Sequence, residues 1–147
     1  MILRRVSRRV GRRRAASSSG GRSGRRGESA AARHLRGLGY RVVGRNVQTR
    51  AGEIDLLART PDGGTLVVVE VKTRMAGAAG LAPERRVGSS KQRKLLQLAR
   101  SLLRQPRYRA AGVRVDVVGV DLPVPGWRAW VGLDRPTVRH YPDAVRA

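Results

Sequence analysis

One stretch decides the fold of this chain: Leu66-Val67-Val68-Val69-Glu70-Val71-Lys72-Thr73-Arg74. A run of β-branched apolar residues after a turn-like sequence predicts a strand that is buried on both faces, and therefore a central strand. Because side chains alternate along a strand, Glu70 and Lys72 project to the same side and form a local pair. Buried charges are costly unless they are paired or bound to a metal. The pair therefore indicates either a functional site or a half-exposed strand at a sheet edge.

A second acidic residue lies on the strand that precedes this one. A strand is predicted over residues 53–58, and the turn at residues 61–64 joins it to the charged strand as an antiparallel hairpin. Neighbouring strands lie about 4.8 Å apart, so Asp55 and Glu70 can approach closely enough to share a cation. We place the two residues at unequal distances from the turn and therefore expect a bulge or a splayed pairing to bring them level.

The apolar spacing over residues 27–38 predicts a first helix, with Gly39 as its C-terminal stop. This helix carries Glu28 on its inward face. An acid in the first turn of a helix is also explained by the helix dipole, and the residues alone favour that explanation.

The remaining elements complete an α/β fold with a mixed central β-sheet flanked by helices, in the order α-β-β-β-α-β-β. They are a first strand over residues 40–46, a second helix from Ser89 or Ser90 to about Gln105, and strands over 113–122 and 127–133. Two tryptophans lie in the last of these strands, Trp127 and Trp130. We expect them to pack in the core or at the sheet edge, with stacking on bases as the alternative.

Composition divides the chain into three parts. Residues 1–26 contain ten arginines and no acid, which predicts a disordered basic arm. A bacterial extension that binds phosphates is favoured for this arm, with an organelle transit peptide as the alternative. Residues 27–135 are predicted to form the folded domain, and residues 136–147 are predicted to be an irregular C-terminal tail.

The charge of the chain indicates a polyanionic partner. The formal net charge is +22, and +12 of it remains when the first 26 residues are left out. The folded part is therefore basic by itself, which favours nucleic acid ahead of an anionic membrane surface.

Several classes of site and location are excluded or disfavoured. The chain has no cysteine and two histidines, so disulfides and thiolate metal sites are excluded and any metal has to be held by oxygen. No apolar run approaches the length of a membrane span, and the N-terminus lacks the apolar region of a secretory signal. We expect a cytoplasmic protein with no membrane association.

Basic residues also fill the first turns of the second helix, where cations oppose the helix dipole: Lys91, Arg93 and Lys94, with Gln92 among them. Contact with phosphates explains this placement, and a solvated basic face is the alternative. Together with Arg74, at the end of the charged strand, these four residues are the predicted nucleic-acid contacts.

The acids and Lys72 suit the hydrolysis of phosphodiesters. Mg²⁺ and Mn²⁺ take oxygen ligands from a few carboxylates, which Asp55 and Glu70 supply, with the carbonyl of Val71 as a further ligand. Lys72 would orient or deprotonate the attacking water, or stabilise the transition state. The competing account is a structural ion pair between Glu70 and Lys72.

The order of these elements, and Asp55 followed after fourteen residues by Glu70-Val71-Lys72, resembles the PD-(D/E)xK, or restriction-endonuclease-like, nucleases. Ile54 stands where the motif name has proline. More closely, three segments are similar to the bacterial YraN family, over roughly residues 27–130: Gly52-Glu53-Ile54-Asp55-Leu56-Leu57, Val69-Glu70-Val71-Lys72-Thr73-Arg74 and Lys91-Gln92.

The resemblance implies a fold similar to that of archaeal Holliday-junction resolvases, in which an acid of the first helix joins the metal ligands. On that basis Glu28 is an expected ligand or water-positioning group, and Gln92 an expected phosphate or active-site contact. The resemblance implies a Mg²⁺- or Mn²⁺-dependent endonuclease that acts on DNA in preference to RNA, on branched or damaged structures. A homodimer would suit two cuts in a junction. The alternatives are a non-catalytic nucleic-acid-binding module and a ribosome-associated protein with a vestigial site.

Overall fold

The computed structural model of the chain describes residues 21–77 and 88–145. Its elements, in chain order, are α1 (Arg22–Gly37), β1 (Arg41–Thr49), β2 (Gly52–Arg59), β3 (Thr65–Met75), α2 (Ser89–Leu103), β4 (Gly112–Leu122), the four-residue helix α3 (Trp127–Trp130) and β5 (Thr137–Val145). A 3₁₀ turn, Pro106–Tyr108, follows α2. In this part of the chain, no helix combines the length and apolar character that a membrane span requires.

The five strands form one sheet in the order β1-β2-β3-β4-β5, so the charged strand β3 is central, as predicted. It pairs antiparallel with β2 and parallel with β4, and α2 lies in the crossover connection between β3 and β4. The outer pairs, β1 with β2 and β4 with β5, are antiparallel. The predicted mixed α/β sheet and the order α-β-β-β-α-β-β are confirmed.

The alternation of apolar side chains along β3 creates one core on each face of the sheet. Leu66 and Val68 pack with the apolar stripe of α2. Val67 and Val69 pack with the small and apolar residues of α1 on the opposite face. The two helices thus cover opposite faces of the sheet, which explains why β3 carries apolar residues at consecutive positions.

The prediction that the folded part begins at residue 27 is wrong. Helix α1 begins at Arg22, because Gly24 and Gly27 extend its buried stripe toward the N-terminus: Gly24, Gly27, Glu28, Ala31, Ala32 and Leu35. Glycine is a weak helix former, so this extension gives little signal in a sequence. Glu28 consequently lies in the second turn of the helix, which removes the first-turn dipole explanation for it. The rest of the predicted basic arm, residues 1–20, lies outside the described residues.

Two predictions about the C-terminal part are also wrong. The segment predicted as a last strand holds the short helix α3, and the predicted irregular tail forms β5 instead. Pro142 lies within β5, and proline disfavours the interior of a strand, but β5 is an edge of the sheet, where proline is tolerated. The tryptophans are not packed in the core, since Trp127 is 68% exposed and Trp130 is 88% exposed.

A buried polar network joins β4 to β5 at a register shift between Val115 and Val117. The side chain of Asp116 is fully buried. Its carboxylate lies 2.8 Å from His140 Nε2, accepts a hydrogen bond of 2.9 Å from Arg114 Nε, and accepts another from the Asp143 N–H. Burial by itself would raise the pKa of Asp116, but these hydrogen bonds outweigh it and hold the pKa below its ordinary value. The network therefore stabilises the fold through an ionised aspartate.

We expect Asp116→Ala to lower the free energy of unfolding by about 3 kcal/mol at pH 7, because it leaves buried polar partners unpaired. A carboxylate with a lowered pKa stabilises the fold above its unfolded pKa of about 4, and that contribution is lost at lower pH. The difference in the free energy of unfolding between the variant and the wild type should therefore become smaller below about pH 4. Urea unfolding across this pH range measures it.

The matched control is Asp134→Ala, because the Asp134 pair with Arg128 is exposed. This variant should lose less than about 1 kcal/mol. Equal losses in the two variants would contradict the assigned role of the Asp116 network.

Candidate active site

The β2–β3 hairpin brings Asp55 and Glu70 level without a bulge, so the expectation of an irregular pairing is wrong. The Thr60 N–H donates to the Thr65 carbonyl to close the turn, and the register runs regularly to Leu56 opposite Val69. The next position along this register places Asp55 opposite Glu70. The two acids are equally far from the turn, and no described irregularity separates them.

Glu70 is 5% exposed and holds two ammonium groups on one oxygen. Its Oε1 lies 2.7 Å from Lys72 Nζ, which confirms the predicted local pair, and 2.5 Å from Lys91 Nζ. Burial opposes the charged form of Lys91, but the hydrogen bond and charge of Glu70 outweigh it and raise the pKa of this ammonium. The site therefore contains a cation from α2 as well as one from β3.

Asp55 is 8% exposed and bridges β2 and β3 at the point where their ladder ends. Its Oδ2 accepts a hydrogen bond of 2.8 Å from the Val71 N–H. Burial, together with the charges of Glu70 and Glu28, raises the pKa of Asp55 to about 7, although the Val71 N–H and the charge of Lys91 oppose the shift. Burial and the neighbouring acids therefore disfavour the ionised form of Asp55.

Glu28 comes to the site from α1, where it is 6% exposed. Its charge contributes to the raised pKa of Asp55, so the two carboxylates lie within electrostatic range of each other. The close approach of α1 to β3 at Gly27 sets this position. A β-carbon built on Gly27 would stand 1.8 Å from Thr73 Oγ1, so only glycine allows the helix to lie this close.

The predicted nucleic-acid contacts lie in three different environments. Lys91 is part of the site. Arg93 and Lys94 are exposed on the first turns of α2, and Gln92 is partly buried beside them. Arg74 lies near the end of β3, where its guanidinium forms a bidentate pair with Asp121. A nucleic-acid contact remains a prediction for all of these residues.

The role of Lys91 is the one that sequence reasoning missed. It was grouped with the basic residues of the helix start, whereas the structure separates it from Arg93 and Lys94. The signal was present, because Lys91, Leu95, Leu98 and Leu102 lie on one helical face, and the last three are buried. A lysine that continues a buried stripe is placed to meet a buried acid.

The donor atoms of the site suit a hard divalent cation. In the part of the chain that the structure describes, Asp55 Oδ1 and Glu70 Oε2 accept no hydrogen bond. Each is thus an oxygen of a buried carboxylate without a partner among these residues, and carboxylate oxygens are the ligands that Mg²⁺ and Mn²⁺ prefer. No group of three acidic or histidine side chains in residues 21–77 and 88–145 is arranged to hold an ion by itself. Remaining ligands would have to come from backbone carbonyls, water or substrate.

The sequence is similar to one described protein family and to individual members of it. The sequence model described as "Uncharacterised protein family UPF0102" matches residues 27–120. A UPF0102 protein of Symbiobacterium thermophilum is 47% identical over 100 residues, which cover 68% of this chain and 82% of that protein. One of Rhizorhabdus wittichii is 47% identical over 113 residues, which cover 76% of this chain and 87% of that protein.

Similar solved structures include a repair endonuclease from Pyrococcus abyssi, with a TM-score of 0.40 and 18% identity over 73% of this chain and 43% of that chain. Another is the EndoMS-dsDNA2 complex, with a TM-score of 0.40 and 20% identity over 72% of this chain and 40% of that chain. This chain therefore spans about two fifths of the length of those proteins. Similarity this low carries no weight for the chemistry of the site.

We expect Gly27→Ala to lower the free energy of unfolding by about 1–3 kcal/mol, because the new methyl group meets Thr73 and forces α1 away from β3. Gly37→Ala on the same helix is the control, since no atom lies within 4 Å of its built β-carbon. That variant should be neutral or gain up to about 1 kcal/mol from helix propensity. Thermal unfolding of both variants measures the difference, and a stable Gly27→Ala protein would contradict the close packing.

Asp55→Asn is expected to stabilise the protein in EDTA at pH 8. The pKa of Asp55 is about 7 in the folded protein and about 4 in the unfolded chain. Between about pH 4 and about pH 7 the folded state therefore binds more protons than the unfolded state. As a result, the free energy of unfolding falls as the pH rises through this range. Asparagine removes this penalty, which is at most about 4 kcal/mol. The gain should diminish toward pH 4 in urea unfolding curves. Asp134→Asn, which changes an exposed acid, should show no such pH-dependent gain.

Proposed function

The chain belongs to the UPF0102 family, the YraN-like family that its motifs indicated, and we propose that it is a divalent-metal-dependent endonuclease that hydrolyses phosphodiester bonds in DNA. The observation that carries the proposal is the pair of buried carboxylates of Asp55 and Glu70 beside the ammonium groups of Lys72 and Lys91, with the charge of Glu28 within electrostatic range of Asp55. A fold gains little stability from such a cluster, because buried like charges repel one another. The arrangement is therefore better explained by chemistry than by structure.

We propose that Asp55 and Glu70 hold Mg²⁺ or Mn²⁺, with the Val71 carbonyl as a further ligand and Glu28 as an auxiliary ligand or water-positioning group. The raised pKa of Asp55 supports this, since a bound cation would offset both the burial and the neighbouring negative charges that raise it. When bound, the cation supplies the Lewis acidity that activates water and offsets the charge developing on the phosphate.

Lys72 and Lys91 then have separate roles in our proposal. Lys91, whose pKa is raised, stays charged at neutral pH and suits the stabilisation of negative charge on the phosphate. Lys72 lies on the central strand beside the ligands and orients the attacking water. The water oxygen adds to phosphorus, one P–O ester bond breaks, and a proton passes to the leaving oxygen.

One observation favours the non-catalytic alternative. Both ammonium groups lie on the same oxygen of Glu70, so the site without metal is a closed ion-pair network that would persist in a protein that only binds nucleic acid. Such a protein would keep its salt-dependent binding and show no response to a divalent cation.

The net charge of +22 supports nucleic acid as the partner. We propose DNA ahead of RNA, with branched or damaged DNA as the substrate. Cytoplasmic location and assembly as a homodimer are further parts of the proposal, the dimer because two strands of a junction have to be cut.

The experiment is a cleavage panel of single-stranded, duplex, flap and four-way-junction DNA, plus RNA, with Mg²⁺, Mn²⁺ or EDTA. The wild-type chain should cleave only with a cation, and Asp55→Asn, Glu70→Ala and Lys72→Ala should each lose about 100-fold or more of the rate while binding to DNA persists. Asp134→Asn, prepared in the same way, should cleave like wild type. Equal cleavage by all the variants would identify a contaminant and contradict the proposal.

A second readout does not depend on activity. Mn²⁺ should raise the melting temperature of the wild type by mass action, and the shift should vanish in Asp55→Asn and Glu70→Ala. No shift in the wild type, together with a negative cleavage panel, would favour the binding module.

A further inference from the structure

A cleft of about 440 Å³ lies outside the acidic site, between α1 and the ends of the strands β4 and β5. Leu122 and Pro136 form part of one wall of this cleft. Four arginines of α1 line the other wall: Arg22, Arg25, Arg26 and Arg33. The neighbouring residue Ser29 also lines the cleft, whereas Glu28 is buried toward the acidic site. One helix thus contributes to both places.

These arginines are not placed for the stability of the helix. Among the described residues, none of the four forms an ion pair with an acid. Three of them lie in the first turns of α1, where cations oppose the helix dipole, and Arg22 and Arg26 repel each other at a spacing of four residues. A bound polyanion removes both penalties, because each phosphate neutralises charge in the cleft.

The segment that connects β4 to β5 begins and ends at this cleft, at Leu122 and Pro136. It carries Trp127 and Trp130, which are 68% and 88% exposed, and the guanidinium of Arg128 lies 5.7 Å from the centre of the Trp127 ring. Each tryptophan is five or six residues from the cleft wall, so each lies within about 20 Å of it. Large exposed aromatic residues beside a basic cleft are typical of surfaces that bind unpaired bases.

We propose that this cleft and the α3 tryptophans form one accessory surface for single-stranded nucleic acid. The arginines hold the phosphate backbone, and Trp127 and Trp130 stack on bases that are not paired. The inference rests on the proposed function and deepens it, since it names a single-stranded segment as the part of the substrate that the protein recognises. The tryptophans lie beyond residues 27–120, the part that the family model matches.

A second copy of the chain is a poorer occupant for this surface. The cleft and the whole chain carry a strong positive charge, so two copies repel each other at this face, whereas the phosphates of a nucleic acid complement it. The apolar residues beside the tryptophans are also exposed: Val124, Val131 and Leu133. They extend the platform that a stacked base would contact.

The test uses the full chain in EDTA, where no cleavage is expected, and a mixed-sequence single-stranded oligonucleotide against its duplex. Since Trp127 and Trp130 are the two tryptophans of the chain, tryptophan fluorescence, excited selectively over the three tyrosines, reports on this segment alone. We expect quenching by the single strand and little by the duplex. The double variant Trp127→Ala/Trp130→Ala, which changes exposed residues, should bind the single strand at least tenfold more weakly and the duplex unchanged.

The arginines are tested by the salt dependence of binding. Arg25→Gln/Arg33→Gln should lower the slope of log K against log salt by about 1.4, because two phosphate contacts to a single strand are lost. Arg100→Gln/Arg104→Gln, which changes two exposed arginines at the C-terminal end of α2, removes the same charge away from the cleft and should lower the slope by less than half of that amount. Circular dichroism of each variant checks that the fold is intact.

The outcomes separate this inference from the proposed function. One outcome is selective single-strand binding that depends on the tryptophans and on the cleft arginines, without cleavage in Mg²⁺. This result would support the accessory surface and contradict the proposed nuclease activity. Equal binding of single strand and duplex by the wild type, no quenching, or identical slopes for the two arginine variants would overturn the accessory surface, whatever the cleavage panel gives.

Discussion

Two ammonium groups and one buried carboxylate oxygen meet at Glu70, in the middle of the central strand. Lys72 comes from the same strand and Lys91 from the first turn of α2, so this contact ties the helix to the sheet beside the acidic cluster. Removing one partner of such a group would leave the other charge buried and unpaired. The position of α2, and with it one core of the molecule, is therefore coupled to the charge balance of the site.

Two buried aspartates of this molecule, Asp55 and Asp116, have pKa values that are shifted in opposite directions. Asp55 has its pKa raised to about 7, because it is buried and faces the charges of Glu70 and Glu28. By contrast, Asp116 is fully buried yet has its pKa lowered, because Arg114, His140 and a backbone N–H surround its carboxylate. The two aspartates have similar burial and opposite electrostatics. Hydrogen bonds from the protein stabilise the ionised form of Asp116, whereas burial and neighbouring acids disfavour the ionised form of Asp55, which makes Asp55 a candidate ligand.

Helix α1 links the acidic site to the basic surface. Its inward face brings Gly27 against Thr73 and buries Glu28, while its other residues line the arginine cleft. A substrate held by its phosphates along this helix would lie beside the carboxylates, so electrostatic attraction and catalysis would share one element. Repulsion between the polyanion and the acids is limited, because the carboxylates are buried and Glu70 is paired with two lysines.

The sequence by itself determined the central strand, the hairpin and the pairing of Glu70 with Lys72, because the alternation of side chains is a local property of a strand. It also placed Asp55 among the candidates, whereas Glu28 became one only through the resemblance to a known family. Only the tertiary structure decided that Lys91 reaches Glu70, since the contact joins residues 21 positions apart through the packing of α2. The start of α1 at Arg22, the edge strand β5 and the exposure of the two tryptophans were likewise decided by packing. Glycine and proline disfavour helices and strands locally, and close contact with a neighbouring element or an edge position overcomes that preference.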